Sequence, residues 1–153
     1  MPRRLSLLVL PLLLVLTLFG LSSVASPAHA LDLNAYHGKV VYLDFWASWC
    51  KPCRQSFPWL ADMQQKYGKD GFVVVAVNVD KERALADRFL ADVPHPFTIA
   101  FDPDGELATR YGIEAMPSSV LIDGNGKVIA THAGFFDHKR DHYEKRIRAA
   151  LSL

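Results

Sequence analysis

The sequence predicts an α/β domain, a mixed central sheet with helices on both faces. Three observations carry that expectation. Segments rich in β-branched residues alternate with amphipathic segments from residue 40 onward, as crossover units do. Asp123-Gly124-Asn125-Gly126 sits between two short apolar runs and signals an antiparallel hairpin near the C-terminus. The only two cysteines, Cys50 and Cys53, stand where the first strand hands over to a helix.

Val40 to Phe45 reads as a buried strand, apolar on both faces except at Asp44. A helix from Cys50 to about Tyr67 carries Phe57, Leu60, Met63 and Tyr67 at helical spacing. Pro58 lies inside it and is expected to kink it. Phe72 to Val79 is a second strand, and its continuous apolar character suggests a central place in a parallel sheet. Lys81 to about Ala91 is expected to be helical, with Leu85, Phe89 and Leu90 inward. Phe97 to Phe101 is a short strand, Asp102-Pro103-Asp104-Gly105 a turn, and Glu106 to Tyr111 a short helix. Ser118 to Ile122 and Lys127 to Thr131 form the hairpin. Asp137 to Leu151 closes the chain as a helix with Tyr143, Ile147 and Leu151 on its apolar side.

Residues 1–30 read as a targeting segment rather than fold. Arg3 and Arg4 make a positive start, Leu7 to Leu21 is almost unbroken apolar sequence, and Ala28-His29-Ala30 supplies a cleavage site before Leu31. The alternative is an uncleaved anchor over residues 5–25, since a spanning helix needs ~20 apolar residues. The arginine pair also touches on twin-arginine export, for which it is a thin signal. No cysteine follows the apolar run, which argues against a lipid-modified start. The domain is therefore expected over 31–153, exported to the periplasm or another extracytoplasmic space. Removing the leader leaves fifteen basic against sixteen acidic side chains, a net charge of −1. That balance gives no electrostatic case for nucleic acid.

Trp49-Cys50-Lys51-Pro52-Cys53 is where chemistry concentrates. A Cys-x-x-Cys at a strand-to-helix junction reads as a redox pair. Unpaired N–H groups and the positive dipole end at a helix start favour thiolate over thiol. Cys50 is thus the expected nucleophile, and Cys53, one turn further in, closes the intramolecular disulfide. Two cysteines so near in sequence staple little. A structural zinc site needs four ligands, and no second pair exists. Neither metal nor organic cofactor is required.

Asp44 interrupts an apolar strand. Solvated at a sheet edge it would be inert. Buried, it would have a raised pKa and could take the proton of Cys53. Lys51 is either a plain solvated side chain or a modest stabiliser of the Cys50 thiolate. Trp46 and Trp49 flank the loop before the pair and one of them suits the core; Trp49, adjacent to Cys50, is the one expected to pack beside the disulfide and shape a substrate groove. His138 and His142, four apart, have metal-ligand spacing, but their charged flanks favour a solvated face. His95, between two prolines, reads as a loop residue.

Gly38 to Val41 and Asp44 to Cys53 together resemble the active-site block of exported thioredoxin-like proteins, nearest to the TlpA/ResA-type thiol–disulfide oxidoreductases. Phe101 to Gly105, Tyr111 to Pro117 and Leu121 to Gly126 are similar to that family's second half, so the resemblance covers most of 38–135. It implies a thioredoxin fold. It matches Pro117 to the cis-proline facing the cysteine pair, Met116 to the residue whose backbone receives an extended substrate segment, and Pro58 to the helix-kinking proline. Asp44 matches the buried acid of thioredoxin. The lysine that accompanies that acid has its place taken by Ala76, and many cytochrome-maturation members have a glutamate where Ser56 stands.

The resulting expectation is a monomeric thiol–disulfide oxidoreductase that reduces disulfide-bearing protein substrates and is re-reduced by a membrane electron donor. A disulfide-forming oxidase is the nearest rival; such enzymes usually insert a helical domain before the cis-proline strand, and the spacing here leaves no room for one. A thiol peroxidase is a second rival, although its P-x-x-x-T-x-x-C pattern is not found around Cys50. A chaperone or metal carrier with incidental cysteines is a third.

Overall fold

A computed structural model describes residues 31–153; the targeting segment expected over residues 1–30, and the anchor expected as its alternative over 5–25, lie outside the described residues. Five strands form one mixed sheet. They are β1 (Val40–Trp46), β2 (Phe72–Asn78), β3 (Thr98–Phe101), β4 (Ser118–Ile122) and β5 (Val128–Ala133), in the order β3-β2-β1-β4-β5. β1 pairs in parallel with β2, and β2 with β3; β4 runs antiparallel to both β1 and β5. Helices α1 (Lys51–Tyr67), α2 (Arg83–Ala91) and α3 (Glu106–Arg110) connect the first four strands, and α4 (Arg140–Ala150) follows β5.

Side chains alternate across β1, and the two faces have different tasks. Val40, Tyr42 and Trp46 face a core built from α1, α2 and α4, whereas Val41, Leu43 and Phe45 face α3 and the N-terminal turn at Leu33–Tyr36. All seven residues of β1 are buried, as expected for the strand at the centre of a sheet covered on both sides. β2 lies between β1 and β3 and is parallel to both, the central strand of the parallel part of the sheet.

Three aromatic rings lock α1 and α2 onto the sheet. Trp46 lies 5.1 Å from Phe57 and 4.6 Å from Phe89, and Phe57 lies 5.1 Å from Phe89. Such pairs add about 0.5–1.5 kcal/mol each beyond the area they bury. Helix α1 buries Phe57, Leu60, Met63 and Tyr67, as its spacing indicates. It runs without interruption through Pro58, which is exposed, so the backbone bond that proline removes falls on the solvent side.

Differences from the sequence reading are local. α2 starts at Arg83 instead of Lys81, because the preceding Asp80 is held by another loop. Ala86 and Phe89 face its core, while Leu85 and Leu90 are only half-buried. The last helix is split: a 3-10 turn at Asp137–Lys139 precedes α4, so His138 and His142 fall in different elements, both exposed. Among the described residues no helix is long and apolar enough to cross a membrane.

Candidate active site

Cys50 is the N-cap of α1, and Lys51 and Pro52 make its first turn. Proline is tolerated there because that N–H has no partner within the helix anyway. Cys50 and Cys53 form a disulfide with their Cα atoms 5.3 Å apart. The Cys50 Sγ accepts a hydrogen bond from the Cys53 amide at 3.2 Å. A Cys50 thiolate in the same place would accept from the same amide, and a helix start favours that charge. Cys50 keeps 3% of its surface in contact with solvent and Cys53 none, so the outer sulfur is Cys50.

The loop before the pair is tied down by a group the sequence reading did not single out. The Asp80 carboxylate accepts from the Ser48 amide at 2.8 Å, from the Ser48 hydroxyl at 3.0 Å and from the Asn78 side-chain amide at 2.8 Å. Asp80 and Asn78 are both buried. The Val79 amide also donates to the Trp46 carbonyl, and the Cys50 amide to the Ala47 carbonyl. The strand end, the turn and the helix start thus form one rigid corner. Asp80→Ala would leave the part-buried Ser48 amide and the buried side-chain NH2 of Asn78 without this partner. It should cost about 2–3 kcal/mol of stability by denaturant unfolding. A loss under about 0.5 kcal/mol would show that the carboxylate does not hold the corner.

Asp44 is 1% exposed, which removes the solvated-edge alternative. It lies on the α1 face of β1 between Tyr42, whose ring is 5.8 Å from Trp59, and Trp46, whose ring is 5.1 Å from Phe57. That places the carboxyl beneath the first half of α1, the stretch whose buried face carries Cys53 and Ser56. Oδ1 accepts from the Ser119 hydroxyl at 2.6 Å, while Oδ2 has no partner among the described residues. Burial pushes the carboxyl up to about 7, against the smaller opposing effect of the Ser119 hydrogen bond. Its neighbour on β2 is Ala76 in register, so no lysine stands there. The Ser56 hydroxyl donates to the Cys53 carbonyl at 3.0 Å, a bond internal to the helix.

The remaining expected residues surround this corner unequally. The Met116–Pro117 bond is cis, with Pro117 buried and Met116 half-buried. The Pro117 carbonyl accepts from the Gly134 amide at 2.7 Å. Met116 lies beyond Ser118, where the ladder to β1 ends, and among the described residues nothing bonds its backbone. Lys51 is exposed. Trp49, next to Cys50 in the chain, is 70% exposed, whereas Trp46 lies in the core. No group of three or more metal-ligating side chains exists among the described residues. A cavity of about 710 Å³ lies between Leu31, Tyr36, Ile99 and Phe101, and neither cysteine lines it.

A five-stranded mixed sheet with a Cys-x-x-Cys pair capping its first long helix defines a thioredoxin-fold protein with a dithiol site. The chain belongs to the redoxin family, whose model matches residues 15–149. More particularly, it is 35% identical over 99 residues to the thiol–disulfide oxidoreductase ResA of Bacillus thuringiensis subsp. konkukian, covering 65% of this chain and 57% of that protein. It is 36% identical over 110 residues to ResA of Geobacillus thermodenitrificans, covering 72% and 62%. The chain therefore spans less than two thirds of the length of these curated relatives. Among solved structures it is similar to a candidate thiol:disulfide interchange protein DsbE from Chlorobium tepidum. There the identity is 55%, the TM-score 0.78 and the coverage 79% of this chain and 86% of that one.

Proposed function

We propose that this chain is an exported thiol–disulfide oxidoreductase that reduces disulfides in protein substrates. The observation that carries the reading is the cysteine pair at the start of α1, where the Cys53 amide donates to the Cys50 sulfur and Cys53 has no solvent contact, with a buried carboxyl, Asp44, on the face of β1 that packs against the same helix. The Cys50 thiolate attacks a substrate disulfide and forms a mixed disulfide, releasing one substrate thiolate. Asp44 takes the Cys53 proton. The Cys53 thiolate then attacks the Cys50 sulfur and expels the second substrate thiolate, and both released thiolates take protons from water. Two electrons and two protons are needed to reopen the Cys50–Cys53 disulfide. In an exported compartment a membrane electron donor supplies them. The free backbone of Met116 beside Pro117 receives the substrate as an added strand. Trp49 and Lys51 border that groove, Trp49 with an exposed ring.

The similarity to ResA and DsbE proteins supports the chemistry, and the apolar leader supports export, with the domain either cleaved free after Ala30 or held by residues 5–25. An insulin-reduction assay with dithiothreitol as electron source tests the activity. The wild type should accelerate precipitation of the insulin B chain, and Cys50→Ser should return the rate to that of dithiothreitol alone. Equal rates for the two proteins would make the domain a binder instead.

A further inference from the structure

Two serines stand side by side at the start of β4, and strand alternation turns them to opposite faces of the sheet. Ser118 pairs with Phe45, and its hydroxyl donates to the Ala115 carbonyl at 2.7 Å, across the Met116–Pro117 bond. Ser119 pairs with Asp44, and its hydroxyl donates to Asp44 Oδ1 at 2.6 Å. The sheet fixes it there, because β4 lies between β1 and β5 and Ser119 pairs with His132 on its other side. Ser119 is buried, and a buried hydroxyl costs free energy unless it is bonded. It has one proton to give. Among the described residues that proton goes to Asp44 and to no other acceptor. The bond has two consequences. It stabilises the carboxylate more than the carboxylic acid. It also occupies Oδ1, so Oδ2, buried and without a partner among the described residues, is the oxygen left to take a proton.

We propose that Ser119 is the positioning residue of the resolving step: it holds Asp44 Oδ1 and keeps Oδ2 ready for the proton of Cys53. The idea rests on the reading of Asp44 as the base for Cys53. In that step the Cys53 S–H bond breaks, its proton passes to Oδ2 and the electron pair stays on sulfur. The Cys53 thiolate then displaces the substrate thiolate from Cys50, and Ser119 keeps its own proton throughout. Asp44 afterwards gives its proton up to water. Burial pushes the carboxyl up to about 7 with the Ser119 bond opposing it, so the bond keeps a larger share of Asp44 ionised near neutrality. The groups around the carboxyl leave its titration well isolated. They are Tyr42 from β1, Cys53 and Ser56 from α1, Ala76 from β2, and His132 one strand beyond Ser119. Burial raises Tyr42 well above its ordinary value and lowers His132 to about 4, so neither changes charge around 7. Cys53 does not titrate while it is held in the disulfide.

Isotope-edited NMR of the aspartate carboxyls in the oxidised protein reads the titration of Asp44 directly, and Asp44→Asn assigns the signal by its loss. Ser119→Ala should move the midpoint up by about one pH unit, a tenfold weaker acid, which is the size expected for one hydrogen bond to a charged group. Ser119→Thr, which keeps the hydroxyl, should titrate with the wild type. In the reduced proteins dithiobis(nitrobenzoate) reads the chemistry, because attack by Cys50 releases one coloured thiolate and resolution by Cys53 releases the second. The pH midpoint of the second release should move up in Ser119→Ala by the same amount, and should stay in place in Ser119→Thr. A carboxyl midpoint that is unmoved or lowered in Ser119→Ala overturns the part of Ser119 and leaves the reading of Asp44 as the base standing. An upward shift of equal size in both Ser119 variants overturns it as well, since disturbed packing rather than a lost hydroxyl does that. A carboxyl midpoint that rises in Ser119→Ala while the second release does not follow it overturns Asp44 as the base, and with it the part of Ser119 in the resolving step.

Discussion

Cys53→Ser should arrest the protein as a covalent complex with its substrate. Only Cys50 has surface open to an incoming sulfur, and it stands at the N-cap of α1 with the Cys53 amide aimed at it. With the inner thiol gone, attack proceeds and resolution cannot. Turnover should fall at least about a thousandfold, as when a covalent catalyst loses one of its reacting groups. A mixed disulfide of one protein and one substrate should accumulate on a non-reducing gel. Cys50→Ser should lose turnover to the same degree and trap nothing, because Cys53 has no solvent contact. Trapping by Cys50→Ser but not by Cys53→Ser would reverse the roles of the two sulfurs. The substrates held by Cys53→Ser would also identify the natural partners directly.

The parts legible from the sequence are those carried by local pattern. β1 and α1 follow from a β-branched run that ends in a Cys-x-x-Cys helix start, and the hairpin from its Asp-Gly-Asn-Gly turn. The relation of Asp44 to Ala76 follows from matching two strands whose pairing is parallel and regular, and the observed register places them side by side. What was not legible depends on partners far apart in the chain. Ser119 reaches Asp44 across 75 residues and Tyr42 reaches His132 across 90. A serine in a strand and a histidine near a C-terminal helix carry no local signal of either pairing; both depend on how β4 and β5 register against β1. Asp80 was hidden for a related reason. Two residues past the end of β2, it reads as an ordinary loop acid, yet it turns back to hold Ser48. Trp49 and Trp46 differ by three positions, and strand alternation ends between them, so the sequence offered no rule for which one stays outside.

The Asp44→Asn variant should change stability with opposite signs at the two ends of the pH range. In the unfolded chain an aspartate ionises near 3.9. In the fold, burial moves Asp44 from 3.8 to about 7. Below the unfolded value both states are protonated and the carboxyl costs nothing. Between the two values only the unfolded state ionises, so the folded state loses ground as pH rises. Above about 7 both are ionised, and the full penalty stands at on the order of 4 kcal/mol. Asparagine does not titrate and escapes this penalty. It carries a cost of its own, because its amide nitrogen must occupy a site where Oδ2 now has no partner, about 1–3 kcal/mol. The variant should therefore be less stable than the wild type below about pH 4 and more stable above neutrality, by about 1–3 kcal/mol, with the curves crossing between. Urea unfolding of the oxidised proteins across this range measures the difference. A pH-independent difference would mean that the folded carboxyl ionises like the unfolded one and cannot hold the Cys53 proton near neutrality. The predicted gain in stability has its counterpart in function: the charge that weakens the fold above neutrality is the form of Asp44 able to accept a proton. A variant that is more stable there and slow only at resolution would show that both effects come from the same buried carboxylate.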